Sequence, residues 1–477
     1  MSKSSFDRSL VDGPIHLAVW TIAWPTIIQN LISGLQGIVD HAMVGHFVGF
    51  TGNAAIGVSW QIFLVVVVFI SSLFTGMGVL VARFAGAERP DKVARVVYQA
   101  FWLSLFIGIF GFAPIGYFAA PALLDLVNAA PEVQAEALPY LRILFVFSLG
   151  NMYFFMIGGA LRAAGDAKTP LQLGIMLTVL NLLLNVILIP LFGTAGAAMG
   201  TVIAGLTVSG FALYRLFSGK LVIDLRPAVT WRFDREVISK IFRFGLPSGF
   251  QGIAMNLGGV LLVRFVGSLK DSAAAQAAYA VGYGQLFSLV SWTSVALMAA
   301  SSTITGQSLG ANRPERAGLA PKASWLVGLG LAVPIGLLFL IVPDALLGIF
   351  GMQEPAAVQL GSQLLLFLAI SALFLPGALS YTGALQGSGD TRGPMYISIF
   401  AQLLLPIAIC AALQATIGLQ GWHIWAAIVA GHFMRCMLSV LRFSQGKWRD
   451  IKVEIDEADD PGANDDAVKK PVLEASS

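Results

Sequence analysis

The chain is predicted to be an all-α polytopic membrane protein, with twelve transmembrane helices in two parallel-related six-helix bundles around a central cleft. Three observations predict it. The first is composition: of 477 residues, 57% are hydrophobic and 12% charged, with a mean hydropathy of +0.79. A soluble chain carries about 25% charged residues. Apolar runs long enough to cross a bilayer core of roughly 30 Å recur from end to end, and the short alternating segments of a β-barrel are absent. The second is where the cations fall. With the N-terminus in the cytoplasm, every Lys and Arg except Arg142, Arg264 and Lys270 falls on the inner side, as the positive-inside rule requires for an even number of spans with both termini inside. The third is an internal repeat. Leu161–Pro170 (LRAAGDAKTP) matches Leu385–Pro394 (LQGSGDTRGP). Gly86–Lys92 (GAERPDK) matches Gly310–Arg316 (GANRPER). Gln61–Phe63 matches Gln285–Phe287. One spacing relates all three pairs. Six spans per repeat return the chain to the starting side, so the halves are parallel, related by a pseudo-two-fold axis along the membrane normal.

The N-terminal MSKSSFDRSLVDGP is polar and has no signal-peptide core. No cleavable signal peptide is expected, and the first span, 15–43, would itself direct insertion. It carries a polar line of Gln29/Asn30, Ser33, Gln36/Gly37 and Asp40, at steps that share one helix side. Asp40 is the one carboxylate inside a long apolar segment. At about 1.5 Å per residue it lies about 36 Å beyond His16, in the outer part of the span. An ionisable group there is costly unless solvated, paired or neutralised, which suits it to take up and release a proton.

The following spans are 54–81, 95–120, 137–161, 170–190 and 195–217. Pro190–Thr194 makes the turn between the last two. The fifth span sets Thr178, Asn181 and Asn185 on one face, and the sixth sets Thr194, Ala197 and Thr201 beside Gly196 and Gly200. Small residues permit close helix approach, bringing amides and hydroxyls within reach of Asp40 as a shell for a proton or Na⁺.

The N-terminal lobe is set at 1–222, a cytoplasmic inter-lobe linker at 223–239 and the C-terminal lobe at 240–444. The C-terminal lobe holds spans 240–266, 274–301, 319–343, 357–384, 394–413 and 421–443. A disordered acidic cytoplasmic tail is expected over 445–477. In the repeated Gly-Asp-x-x-x-Pro loops, Gly ends one helix, Asp caps the next and Pro suits its first turn. Cys410 and Cys436 lie in apolar runs and read as small hydrophobes rather than a disulfide. No catalytic motif or cofactor-binding motif appears in a suitable context.

These residues resemble the multidrug and toxic compound extrusion (MATE) family. The resemblance is carried by Pro25 with VDHAMVG (39–45), GAERPDKVARV (86–96) and ALRAAGDAKTP (160–170), with the repeats of the last two. It covers roughly 14–443. The lone acid in the first span is similar to the DinF-like bacterial branch, because spans 7 and 10 lack the acids of the NorM-like branch. The resemblance implies a secondary antiporter, not an enzyme, in the bacterial cytoplasmic membrane. It exports lipophilic or cationic small molecules against entering H⁺ or Na⁺, needs no cofactor or nucleic acid, and works as a monomer. Carried over as the cation shell around Asp40 are Asn181, Asn185, Ala197 (through its carbonyl) and Thr201, with Na⁺ the one metal the site would take. Several relatives carry an acid where Asn185 stands, so H⁺ is favoured over Na⁺. Candidate cavity residues are Ser33, Gln36, Tyr153, Asn256, Gln285 and Tyr381. Helix 1 is expected to bend at Pro25, Gly34 or Gly37. The competing readings are a flippase for lipid-linked saccharides, which would need extra spans and a cationic cavity, and a membrane-embedded lipid-modifying enzyme, which would need a clustered nucleophile or metal set.

Overall fold

The computed structural model describes residues 6–226 and 233–455. Among them the regular structure is entirely helical. The twelve spans are α1 (Ile15–Phe47), α2 (Phe50–Gly86), α3 (Pro90–Leu126), α4 (Pro131–Val146 with Leu149–Ala163, bent by 50°), α5 (168–192), α6 (194–217), α7 (Arg235–Val266), α8 (Ser272–Gly310), α9 (Pro314–Ile341), α10 (Pro355–Ser388), α11 (Arg392–Thr416) and α12 (Gly421–Ser444). The chain is thus a multi-pass membrane protein. Helices α5 and α6 are separated only by Gly193, whose φ of 60° and ψ of −136° end one helix and start the next.

The local signals act as their chemistry requires. Gly165 and Gly389 adopt left-handed φ of 102° and 101° after α4 and α10. Asp166 then accepts from the Thr169 amide (2.9 Å) and Asp390 from that of Gly393 (3.0 Å). Both repeats use one device. Turns of π-helix at Ile107–Phe112 and Ile399–Leu404 run up to Pro114 and Pro406, absorbing the hydrogen bonds that proline cannot complete. Helix α7 begins at Arg235, inside the stretch expected as linker, because Asp234 caps it by accepting from the amides of Glu236 and Val237 (3.1 Å each). Residues 227–232 of that linker lie outside the described residues.

The lobes meet from one end to about the middle of the helices. Towards the far end each lobe has its own apolar core: Val44, Phe63, Leu141, Phe145, Ile189 and Val202 in one, and Leu262, Phe287, Leu364, Leu368, Trp425 and Ile428 in the other. Towards the end that carries the Arg and Lys loops, the core is shared. There Leu10, Val19 and Ile22 pack with Leu297, Ile304 and Ala320. Hydrogen bonds cross the same seam: Gln307 Nε2 donates to the Ala163 carbonyl (2.8 Å) and Arg313 Nη1 to that of Val11 (3.1 Å). Midway along α1, Asn30 Nδ2 donates to the Trp292 carbonyl (3.2 Å). The result is a cleft sealed at the basic end and parted at the far end.

The expected tail needs correction over 445–455. Trp448 is buried, stacks on Phe443 (4.6 Å between centroids) and donates from Nε1 to the Phe443 carbonyl (2.8 Å). The chain then crosses to the N-terminal lobe, where Val453 and Ile455 join the core of Leu80, Val97 and Ile241. Arg83 Nη2 donates to the Ile451 carbonyl (3.1 Å), Lys92 Nζ to that of Ile455 (3.0 Å) and Lys240 Nζ to that of Glu454. Residues 456–477 lie outside the described residues. This strap ties α12 to the opposite lobe. Ile455→Ala is expected to weaken the seal by about 2–5 kcal/mol. The check is faster alkylation of a cysteine placed at Gln307, which the closed end buries, in a chain whose two native cysteines are replaced.

Candidate cation and substrate site

Asp40 projects from α1 toward α5 and α6, one helical turn beyond Gln36. Asn185 Nδ2 donates to its Oδ1 at 2.7 Å. The surrounding hydrogen bonds orient the Asn181 amide with its nitrogen 3.2 Å from the same Oδ1 and its oxygen accepting from the Thr201 amide (3.2 Å). Thr201 Oγ1 also donates to the Ala197 carbonyl (3.1 Å), and Thr178 Oγ1 donates to Gln36 Oε1 (2.8 Å). Asp40, Asn181, Asn185, Ala197 and Thr201 are therefore one cluster. Asn181 and Asn185 are fully buried. Burial of their amide N–H groups is tolerated because these meet partners.

The sequence permits this packing at Gly200. A Cβ there would fall 2.0 Å from Asn185 Oδ1, so only glycine lets α6 close on the asparagine. Asn185 Oδ1 is buried and takes no hydrogen bond among the described residues. An orphaned acceptor beside a carboxylate is a place for a cation or a proton-bearing group. The donor set is all oxygen and suits a hard cation. However, two amide N–H groups already face Asp40 Oδ1, and a metal ion there would have to displace them. A proton on Oδ2 requires no such movement.

Some neighbours were not legible beforehand. Tyr140, buried on α4, lies within electrostatic reach of Asp40. One turn earlier on α4, Glu136 accepts from Thr194 Oγ1 (2.5 Å). Thr194, expected to help reach Asp40, is thus held elsewhere. Glu136 and Tyr140 stand at i and i+4, a signal overlooked because Glu136 sits just outside the apolar run.

The cavity candidates divide. Ser33, Asn256 and Gln285 are exposed and Gln36 half-buried, on stretches of α1, α7 and α8 beyond the seam. Asn256 Nδ2 donates to the Gly252 carbonyl of its own helix (2.9 Å). Tyr153 and Tyr381 require correction. Tyr153 is buried and stacked on Phe101 (5.1 Å) in the N-terminal core. Tyr381 packs edge-on against Trp325 and Phe443 in the C-terminal lobe. Large aromatic rings at those positions fill lobe interiors instead of lining the cleft. Helix α1 is continuous through Pro25, and a Cβ on Gly34 or Gly37 would meet nothing within 4 Å. Space to bend is present there.

Two six-helix lobes, sealed at one end and parted at the other, with a polar, acidic site in one wall, define a membrane transporter. The sequence matches the MatE family model over residues 25–187 and 247–411, and the chain belongs to that family, whose members are transporters and not enzymes. It is 25% identical over 442 residues to a probable multidrug resistance protein NorM of Thermotoga maritima, covering 90% of this chain and 92% of that protein. In fold it is similar to a MOP superfamily transporter from Pyrococcus furiosus, whose binding pocket is described as reversed in polarity (TM-score 0.85, 21% identity, 94% of this chain and 99% of that one). It is also similar to an outward-facing multidrug resistance MATE family transporter (TM-score 0.82, 21% identity, 94% of this chain and all of that one).

Proposed function

We propose that the chain is an H⁺-coupled antiporter that exports lipophilic or cationic small molecules across a bacterial cytoplasmic membrane. The observation that carries this reading is the Asp40–Asn185 contact in the wall of a cleft open away from the basic end. The positive-inside rule makes the basic end cytoplasmic, so the cleft opens outward and both termini lie inside.

Asp40 is the coupling group. Ionised, it accepts from Asn185 and Asn181, and its charge attracts a cationic substrate. Protonated, it loses that charge, its hold on α5 weakens, and α1 is free to bend near Pro25 or across Gly34 and Gly37. Proton and substrate thereby exclude each other, which is the condition for exchange rather than co-transport. Asn181, Asn185, Thr201 and the Ala197 carbonyl fix the carboxylate, while Ser33, Gln36, Asn256 and Gln285 furnish the polar part of the cleft.

The test is efflux of an aromatic cation from proteoliposomes under separately imposed pH and Na⁺ gradients. The pH gradient alone is expected to drive uphill movement, and a response to Na⁺ alone overturns the choice of ion. A second result follows from the single carboxylate. Asn185→Asp sets two acids side by side, and sharing of a cation relieves their repulsion. That variant is expected to gain Na⁺-dependent thermal stabilisation that the parent protein lacks.

A further inference from the structure

The C-terminal lobe hides a cation with no counter-ion among the described residues. Arg435, mid-way along α12, is 1% exposed. Among the described residues its Nε has no hydrogen-bond partner, and Nη1 donates only to the Met255 thioether (3.7 Å). The titratable groups that face it are Tyr283 of α8 and His432, one turn earlier on α12. His432 is 2% exposed, its Nδ1 is unpartnered among the described residues, and its ring is parallel to Tyr283 (6.5 Å, 3°) and tilted on Phe287 (5.7 Å). Tyr283 stacks in turn on Tyr279 (5.2 Å). No Asp or Glu occurs within the apolar stretches of α7 to α12.

A guanidinium keeps its charge when buried, and an uncompensated buried charge is severely unfavourable. Here the protein supplies the cation, the planar rings and buried nitrogens without partners among the described residues. We propose that Arg435, Tyr283 and His432 form an anion site in the C-terminal lobe that takes the carboxylate of an aromatic acid or zwitterion. The guanidinium fork matches a carboxylate in two parallel hydrogen bonds, and the rings of Tyr283, His432 and Phe287 make an aromatic wall beside it. Asp40 and Arg435 then give the two lobes opposite polarity, so a zwitterion finds a partner in each. Binding at Arg435 stands on this geometry alone; its place in export rests on the function proposed above.

The test is binding to the purified full chain in detergent, without a gradient, so that failure of coupled export leaves its outcome intact. The probes are 1-naphthoate, neutral 1-naphthamide and 1-naphthylmethylammonium, followed by tryptophan fluorescence, with chloride as competitor. Naphthoate is expected to bind about tenfold more tightly than the amide, and Arg435→Met to erase that preference while ammonium binding is unchanged. Met255→Glu, which sets an internal carboxylate where Nη1 now meets sulfur, is expected to do the same and to raise the melting temperature. It also keeps the proposal testable if Arg435→Met does not fold. Equal binding of naphthoate and naphthamide by the parent protein overturns the proposal, as does a preference that survives both variants. Complete displacement of naphthoate by millimolar chloride reassigns the site to small inorganic anions and overturns the aromatic-acid assignment.

Discussion

Asp40→Asn is expected to abolish gradient-driven efflux and to leave the fold intact. The two parts of that result have separate causes. An amide oxygen can still accept from Asn185, the volume is unchanged, and the cluster of Asn181, Thr201 and Ala197 keeps its partners. The stability cost is therefore about 1 kcal/mol or less, and the melting temperature and elution profile should match the parent. An amide does not bind and release a proton in the physiological range, so the link between gradient and substrate disappears. Uphill efflux from proteoliposomes should drop to that of protein-free vesicles. Exchange of labelled for unlabelled substrate without a gradient should persist at saturating substrate but with weaker apparent affinity, because the rest of the cleft still binds once the attraction of Asp40 for a cation is gone. Uphill efflux preserved in the variant removes Asp40 from the coupling role. Loss of exchange even at saturating substrate shows that Asp40 is indispensable to substrate binding and that its loss says nothing of coupling.

The site was legible because its elements obey strong local rules. Asp40 stands out in an apolar run, and Thr178, Asn181 and Asn185 repeat at helical spacing on a helix joined by a short turn to Thr201. Pairing of neighbouring antiparallel helices then follows from chain connectivity. Residues that act across the fold were harder to read. Nothing local distinguishes Tyr153 and Tyr381, which fill lobe interiors, from a tyrosine on a cleft wall. Thr194 has the spacing to reach Asp40, yet Glu136 lies nearer in space. The strap was hidden by composition: the acids after Glu454 outweighed Ile451, Val453 and Ile455, whose alternation at period two marks an extended segment with one buried face. Gly200 drew notice as a small residue, but its need is visible only against the oxygen of Asn185.

The repeat makes its strongest structural statement at Gly86 and Gly310, and their substitution should have the other large effect. They end α2 and α8 at matched positions of the two halves. A Cβ on Gly86 would lie 2.0 Å from the Gln307 carbonyl oxygen, and one on Gly310 would lie 1.9 Å from that of Arg83. Arg83 and Gln307 are themselves repeat partners, so the contacts are reciprocal and the pseudo-two-fold axis passes between them. Backbone meets backbone here, and no side-chain rotation relieves the clash. Gly86→Val or Gly310→Val must push the helix ends apart, at about 1–3 kcal/mol or more against the sealed state. Each lobe's own far-end core is untouched, so the cost falls on the seal and not on the folding of either bundle. Both variants should therefore remain folded, rest with the basic end open, and alkylate a cysteine at Gln307 many times faster than the parent. Uphill efflux should fall with them, since a transporter that does not close behind its substrate leaks the gradient or stalls. The symmetry sharpens the test: the two substitutions should give matching phenotypes although they lie in different lobes. Slow labelling with full transport in either one would show that the seam yields easily and that the glycines are not what holds the closed end together.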